Sequence, residues 1–240
     1  QTYYLNTAER PVVTAQSYVV ADLVTGDLII AKNDEVVRPI ASVSKLLTAL
    51  TSLDVVNQYQ VATMPLAAVA TYGTQGNLIA GEKIPVKELI YPMLLESSND
   101  AAEALSEHFG RTSFLTQINN KATAIGLTKT NFADPSGLSP KNVSTARDLA
   151  RLTKYIYQSK RYLFELTKER QHVYGGHTWL NNNKLLGTAG YLGGKNGFTD
   201  EAGQTAVALF NLPLAEFGER PVVFIILKST DRDKDISSLV

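Results

Sequence analysis

The sequence predicts an α/β (α+β) protein whose antiparallel sheet is built from both termini, with a helical lobe inserted between them. Three observations predict it. Short apolar runs bounded by turn residues occupy residues 17–31 and 171–230, stretches of helical spacing fill the middle, and no internal repeat or low-complexity segment interrupts the pattern. With 240 residues, 44% of them hydrophobic, the chain is long enough to bury a sizeable core. The expected organisation is a single domain over 1–240, with a sheet lobe of about 1–40 and 171–240 and a helical lobe of about 41–170.

The elements follow in order. "SYVVADLVTGDLIIAKND" reads as strands over 17–23 and 27–31, with Thr25-Gly26 as the tight turn between them. Pro39 stops that pattern, and a helix begins near Ala41. Its apolar positions Val43, Leu46, Leu47, Leu50 and Leu53 leave Ser42 and Lys45 on a neighbouring face at its first turn. "IPVKELIYPMLLE" puts Val86, Leu89, Ile90, Met93 and Leu94 on one helical face after Pro85. "SSND" interrupts, a second helix closes on Gly110, and a third runs from about Ser113 to Gly126. "STARDLARLTKYIYQS" is a fourth, with Ser144 or Thr145 as its N-cap. Strand signals then return: a hairpin around Gly175-Gly176, another turning at 199–203, and "RPVVFIILKST" as a buried strand.

Composition narrows the function. There are 23 Lys+Arg against 23 Asp+Glu, interspersed, which argues against a nucleic-acid partner. The absence of cysteine removes thiolate catalysis, cysteine zinc sites and disulfides together. The longest apolar runs, such as "VVFIIL", fall far below the roughly 20 residues that span a bilayer, so no transmembrane segment is expected. Gln1 in place of an initiator methionine points to a processed or truncated product.

Ser42 and Lys45 form a Ser-x-x-K pair. With 15 Ser and 14 Lys, chance alone supplies roughly one such pair, and a capping serine beside a solvent lysine is the plain reading of it. The chemistry the pair is able to carry is definite, however. A serine hydroxyl needs a neighbouring base, and a lysine is a base only when burial or a second cation depresses its pKa. Ser97 and Asn99 sit in the break "ESSNDAA", where a hydroxyl shuttles a proton and an amide holds a substrate amide; the plain alternative is that Asn99 or Asp100 caps the next helix. "GGKNGFTD" places Lys195 on a strand between Gly194 and Gly197. Glycines inside a strand mark close approach of a ligand or another backbone. Lys195 there is placed to bind a carboxylate and to depress Lys45.

These three elements, in this order, are those of penicillin-binding proteins and class A β-lactamases. The chain resembles the serine D-Ala-D-Ala carboxypeptidases, the low-molecular-mass penicillin-binding proteins. Four blocks carry the resemblance: "VTGDLIIAKNDEVVRPIASVSKLLTAL", "GEKIPVKELIYPMLLESSNDAAEAL", "TNFADPSGLSPKNVSTARDLARL" and "LGGKNGFTDEAGQTAVA". Together with the spacing between them they extend over about 17–230. The resemblance implies a β-lactamase/transpeptidase-like fold, with Ser42 as nucleophile, Lys45 as its base, Ser97 as proton relay and Asn99 orienting substrate and Lys45. It also implies that Lys195 binds the substrate's terminal carboxylate, and that Asn196, Gly197 and Phe198 line the substrate, with the N–H groups of Ser42 and Phe198 as the oxyanion hole. No metal and no cofactor are implied. The implied partners are peptidoglycan peptides ending in D-Ala-D-Ala and, as covalent inhibitors, β-lactams; the implied location is extracytoplasmic.

One departure stands out. The family's third motif is usually Lys-Thr-Gly, and here it is Lys195-Asn196-Gly197. An Asn amide donates a similar hydrogen bond with different reach, which bears on efficiency and substrate choice. Class A β-lactamase turnover is not expected, because none of Glu103, Glu107, Glu165 and Glu169 has Asn four residues later. The rival activity is DD-endopeptidase cleavage of cross-links by the same site, towards which "DPSGLSPKNVSTARDL" leans. A catalytically impaired peptidoglycan-binding homologue is the alternative outside catalysis, with Asn196 as its support. His172 and His177 flank the first hairpin without a clear third ligand and read as surface residues, as does His108, so no metal role is assigned.

Overall fold

The computed structural model describes residues 11–73, 76–214 and 218–240; the first ten residues of the expected sheet lobe lie outside them. Strands β1 (Ser17–Asp22) and β2 (Leu28–Lys32) turn through Gly26, whose φ of 86° only glycine adopts freely. β3 (Arg38–Pro39) leads to a 3₁₀ turn, Ala41–Ser44, that runs directly into α1 (Lys45–Val55). β4 (Val61–Thr63), α2 (Leu66–Val69) and β5 (Lys83–Pro85) follow, then α3 (Val86–Leu95), α4 (Asn99–Phe109) and α5 (Arg111–Ile125). After β6 (Val143–Ser144) come α6 (Ala146–Ser159) and α7 (Tyr162–Leu166), then the hairpin β7 (Gln171–Tyr174) and β8 (His177–Leu180). The chain closes with β9 (Tyr191–Thr199), β10 (Gly203–Leu214), β11 (Gly218–Ser229) and α8 (Arg232–Leu239).

The main sheet has the order β2-β1-β11-β10-β9 and is antiparallel throughout, so the two ends of the chain meet at β1–β11 with Val19 opposite Ile225. The run Val222, Val223, Phe224, Ile225, Ile226 and Leu227 is buried at every position because both sheet faces are covered. Val223, Ile225 and Leu227 join α1, α3 and α6 in the larger core, while Val222, Phe224 and Ile226 pack with Phe210 and with Ile236 of α8. α8 was not expected, since "DRDKDISSL" shows little apolar periodicity; Asp231 caps it by accepting from the Lys234 N–H.

Two differences from the sequence reading bear on the site. α1 is not amphipathic: Lys45 and every residue from there to Ser52 are buried, which makes it the central helix of the molecule. The hairpin β7–β8 is not part of the main sheet, which resumes only at Tyr191. It packs on α3 instead, and Trp179 donates its indole N–H to the Gly76 carbonyl at 2.8 Å.

Candidate active site

Ser42 lies in the 3₁₀ turn ahead of α1, and the turn accounts for its pairing with Lys45. Three residues per turn eclipse positions i and i+3, so the two side chains meet directly. Lys45 Nζ donates to Ser42 Oγ at 2.9 Å, to Asn99 Oδ1 at 2.7 Å and to the Ser136 carbonyl at 2.5 Å. Ser42 makes no capping bond: the positions before the 3₁₀ turn and before α1 are Ile40 and Ser44, and neither caps through its side chain. Lys45 is completely buried, and burial depresses its pKa from 10.5 to about 7 against the opposing pull of Asp134, Glu103 and Asp100. The sequence left two causes open, burial and a second cation, with Lys195 as the candidate. Desolvation is the cause, and it acts on both lysines.

The break after α3 supplies the second wall. Ser97 is held at φ 70°, a left-handed conformation that costs a non-glycine residue of order 1 kcal/mol or more, and its Oγ accepts from Lys195 Nζ at 2.8 Å. Neither Asn99 nor Asp100 is the cap of α4. That position is Ser98, which accepts from the Ala101 N–H at 3.0 Å. Asn99 is thereby released to use both ends of its amide, Oδ1 on Lys45 and Nδ2 on the Tyr72 carbonyl at 2.9 Å.

β9 forms the third wall. Lys195 is as deeply buried as Lys45, bonded to Ser97 and to the Asn196 carbonyl at 2.8 Å. Burial first, then the charges of Lys45 and Arg232, push its pKa well below the usual lysine range. Gly197 is required by space: a Cβ there would lie 2.7 Å from both Ser42 N and Thr205 Oγ1. β9 is an edge strand, and the Gly194 N–H points away from β10 to Thr167 Oγ1 at 2.9 Å. The two-residue period therefore turns the N–H groups of Asn196 and Phe198 to the same unpaired edge. In front of that edge opens a cleft of about 380 Å³ lined by Ser42, Tyr72, Asn99, Leu138, Phe198 and Glu201. Of the expected site residues, Ser42, Asn99 and Phe198 line the cleft, Lys45 bonds to Ser42 and Asn99, Gly197 packs on Ser42 N, and Ser97 and Lys195 bond each other. Asn196 contributes its carbonyl to Lys195, and no side-chain bond of Asn196 joins the cluster.

Several contributors were missed by reading side chains. The Ser136 carbonyl on Lys45 comes from the loop "ADPSGLSPKN". There Asp134 accepts from the N–H groups of Ser136, Gly137 and Ser139 at 2.9, 2.5 and 2.6 Å. Gly137 (φ 86°) passes so close to Ala41 that a Cβ would meet its carbonyl at 2.2 Å. Thr205 Oγ1 ties β10 to the Ile40 carbonyl at 3.0 Å, and Arg232 Nη1 reaches the Gly197 carbonyl at 2.7 Å. The signal for the loop was its density of Asp, Pro, Ser and Gly, a turn cluster between two apolar segments.

The histidines lie elsewhere. His172 and His177 bond Glu88 and Glu82 at 2.7 and 2.8 Å and stack around Trp179, so they are partly buried rather than on the surface. His108 contacts Gln60 at the end of α4. Among the described residues no group of three His, Cys, Asp or Glu is arranged to hold a metal ion.

A family model described as D-alanyl-D-alanine carboxypeptidase matches residues 5–222. The D-alanyl-D-alanine endopeptidase of Escherichia coli K12 is 32% identical over 239 residues, covering 90% of this chain and 74% of that protein. Of two further curated endopeptidases the matched part spans 65% and 50%. The crystal structure of a D-alanyl-D-alanine carboxypeptidase from Mycobacterium tuberculosis H37Rv has a TM-score of 0.88 at 26% identity, covering 98% of this chain and 92% of that one. Penicillin-binding protein D2 from Listeria monocytogenes, in its cefotaxime-bound form, has a TM-score of 0.84 at 27% identity, covering 97% and 96%.

Proposed function

The chain belongs to the D-alanyl-D-alanine carboxypeptidase family, and on that premise we propose that it is a serine-type DD-peptidase, releasing the last D-Ala of peptidoglycan stem peptides through an acyl-enzyme on Ser42. The observation that carries this reading is the 2.9 Å contact between Ser42 Oγ and a lysine whose burial holds its pKa at about 7. Such a lysine is largely neutral just above pH 7, and its lone pair takes the hydroxyl proton as Oγ attacks.

The steps follow from the three walls. The peptide lies extended along the free edge of β9, adding a strand to it. Its scissile carbonyl oxygen turns to the N–H groups of Ser42 and Phe198, which stabilise charge only as the tetrahedral intermediate develops. Asn99, anchored by Tyr72, fixes Lys45 and faces the substrate amide. The proton taken by Lys45 returns by way of Ser97 to the departing amine as the C–N bond breaks and D-Ala leaves; water then hydrolyses the ester, giving one proton back to the Ser42 hydroxyl. The terminal carboxylate meets Lys195, and its arrival favours the ammonium form that burial otherwise disfavours. Asn196 offers an amide donor beside it and Gly197 keeps the strand close. β-Lactams acylate the same Ser42 by opening of their ring.

Cross-link cleavage by the same site is a second reading, favoured by the endopeptidase name of the Escherichia coli relative. On either reading residues 1–240 act as one penicillin-binding catalytic domain, and the substrate places it outside the cytoplasmic membrane. No helix of the described residues is long and apolar enough to cross a membrane. The impaired-homologue reading is the less supported, since the Lys45–Ser42 and Lys195–Ser97 contacts are both made. The test offers a pentapeptide stem ending in D-Ala-D-Ala and a cross-linked muropeptide dimer side by side. Free D-Ala is expected from the first, and monomers from the second if the endopeptidase activity is present. Release of neither would overturn the proposal.

A further inference from the structure

Three carboxylates that no motif names act on Lys45: Asp134 in the loop after α5, and Glu103 and Asp100 on α4. The cations near it are Lys195 on β9 and, beyond that, Arg232 on α8. The three acids are not equivalent. Asp100 accepts from the Gly76 N–H and from Ser98 Oγ, and Asp134 shapes its loop through three N–H groups. Glu103 holds no backbone group in the hydrogen bonds it makes. One of its oxygens accepts at 3.3 Å from Ser136 Oγ, a hydroxyl it shares with Asp134 Oδ1 at 3.2 Å, and the other accepts from Arg111 Nε at 3.1 Å. The Ser136 carbonyl in turn receives Lys45 Nζ, so a single residue separates Glu103 from the base. Glu103 is 9% exposed, and burial raises its own pKa while Arg111 lowers it.

Taking the Ser42 proton creates an ammonium in a desolvated place, which is unfavourable unless opposite charge is already there. We propose that Glu103 is a positioning residue of the acylation step: acting through Ser136 and alongside Asp134, it adds buried negative charge that stabilises the ammonium formed on Lys45. Too little charge leaves Lys45 a neutral amine too weak to deprotonate Ser42; too much keeps it permanently protonated. Arg111, half-exposed on the far side of Glu103, trims that charge.

This inference rests on the acyl-enzyme reading. Its test is the rate of benzylpenicillin acylation as a function of pH for the wild type, Glu103→Gln and Arg111→Gln, with thermal unfolding measured alongside. Glu103→Gln should move the acid limb down by about one unit and lower the plateau several-fold, because an ammonium of lower pKa leaves an amine that is a weaker base. Arg111→Gln, an exposed change that leaves the carboxylate in place, should move the limb up. Limbs that stay at the wild-type position in both variants, whatever their melting temperatures, would overturn the role. A wild type that forms no adduct would defeat the acyl-enzyme reading itself, and this role with it.

Discussion

Lys45 and Lys195 are buried with no carboxylate in hydrogen-bonding contact, whereas His172 and His177 each bond one, Glu88 and Glu82. Both pairs are basic and both sit among polar partners. The lysines meet hydroxyls, an amide and carbonyls, which orient a charge without neutralising it, so desolvation is left to depress their pKa. The histidines bond carboxylates directly and are stacked with Tyr91 and Trp179, an arrangement that holds a hairpin against α3. What separates a reactive pair from a structural one is therefore whether the base meets a carboxylate directly or only neutral groups.

The largest effect should come from Lys45→Ala. Loss of the base is expected to slow acylation by about 10³-fold with the fold retained, judged by circular dichroism and stopped-flow rates. Acylation close to the wild-type rate would remove the contrast. In the wild type the rate should climb through pH 7 and level above it, since the neutral amine is the base. The same depressed pKa makes the unfolded state the better proton binder between about 7 and 10.5. The stability cost is thus complete below pH 7 and is relieved as pH rises across that window. Lys195→Ala should be next, lowering kcat/KM for D-Ala-D-Ala peptides by about 10–100-fold through loss of a charged hydrogen bond. An amidated peptide should lose much less, and equal losses would argue that Lys195 does not meet the carboxylate. His177→Gln should be smallest: about 1 kcal/mol of stability in denaturant titration and an unchanged acylation rate. A change in that rate would show the hairpin to be coupled to the cleft.

How much of this was legible in the sequence depended on where the information resides. Ser42, Lys45, Ser97, Asn99 and Lys195 were singled out by residue type but gained their roles only through the family resemblance, since spacing alone left the plain readings open. The long strands and helices showed by period. The Ser136 carbonyl and the Phe198 N–H carry no side-chain signature; only the turn residues around the first hinted at it, and the second was named through the family resemblance alone. β3, β4, β5 and β6 are two or three residues long, too short for any period to emerge. The hairpin 171–180 was recognisable as strands, but its partner was not. Strand propensity says that a segment is extended, whereas Trp179 and the two histidine–carboxylate pairs decide that it packs on the helices. The unbroken burial of α1 was hidden because Thr48, Thr51 and Ser52 look polar, and Thr48 finds its shortest bond at the distant Pro135 carbonyl, 2.7 Å away.

The central claim is that the Lys45-activated hydroxyl of Ser42 forms the acyl-enzyme. Intact-protein mass spectrometry after incubation with benzylpenicillin, with Ser42→Ala alongside, tests it most directly. The account predicts one stable penicillin adduct on the wild type and none on the variant. An adduct on both proteins, or none on the wild type with the penicillin left intact, would contradict it.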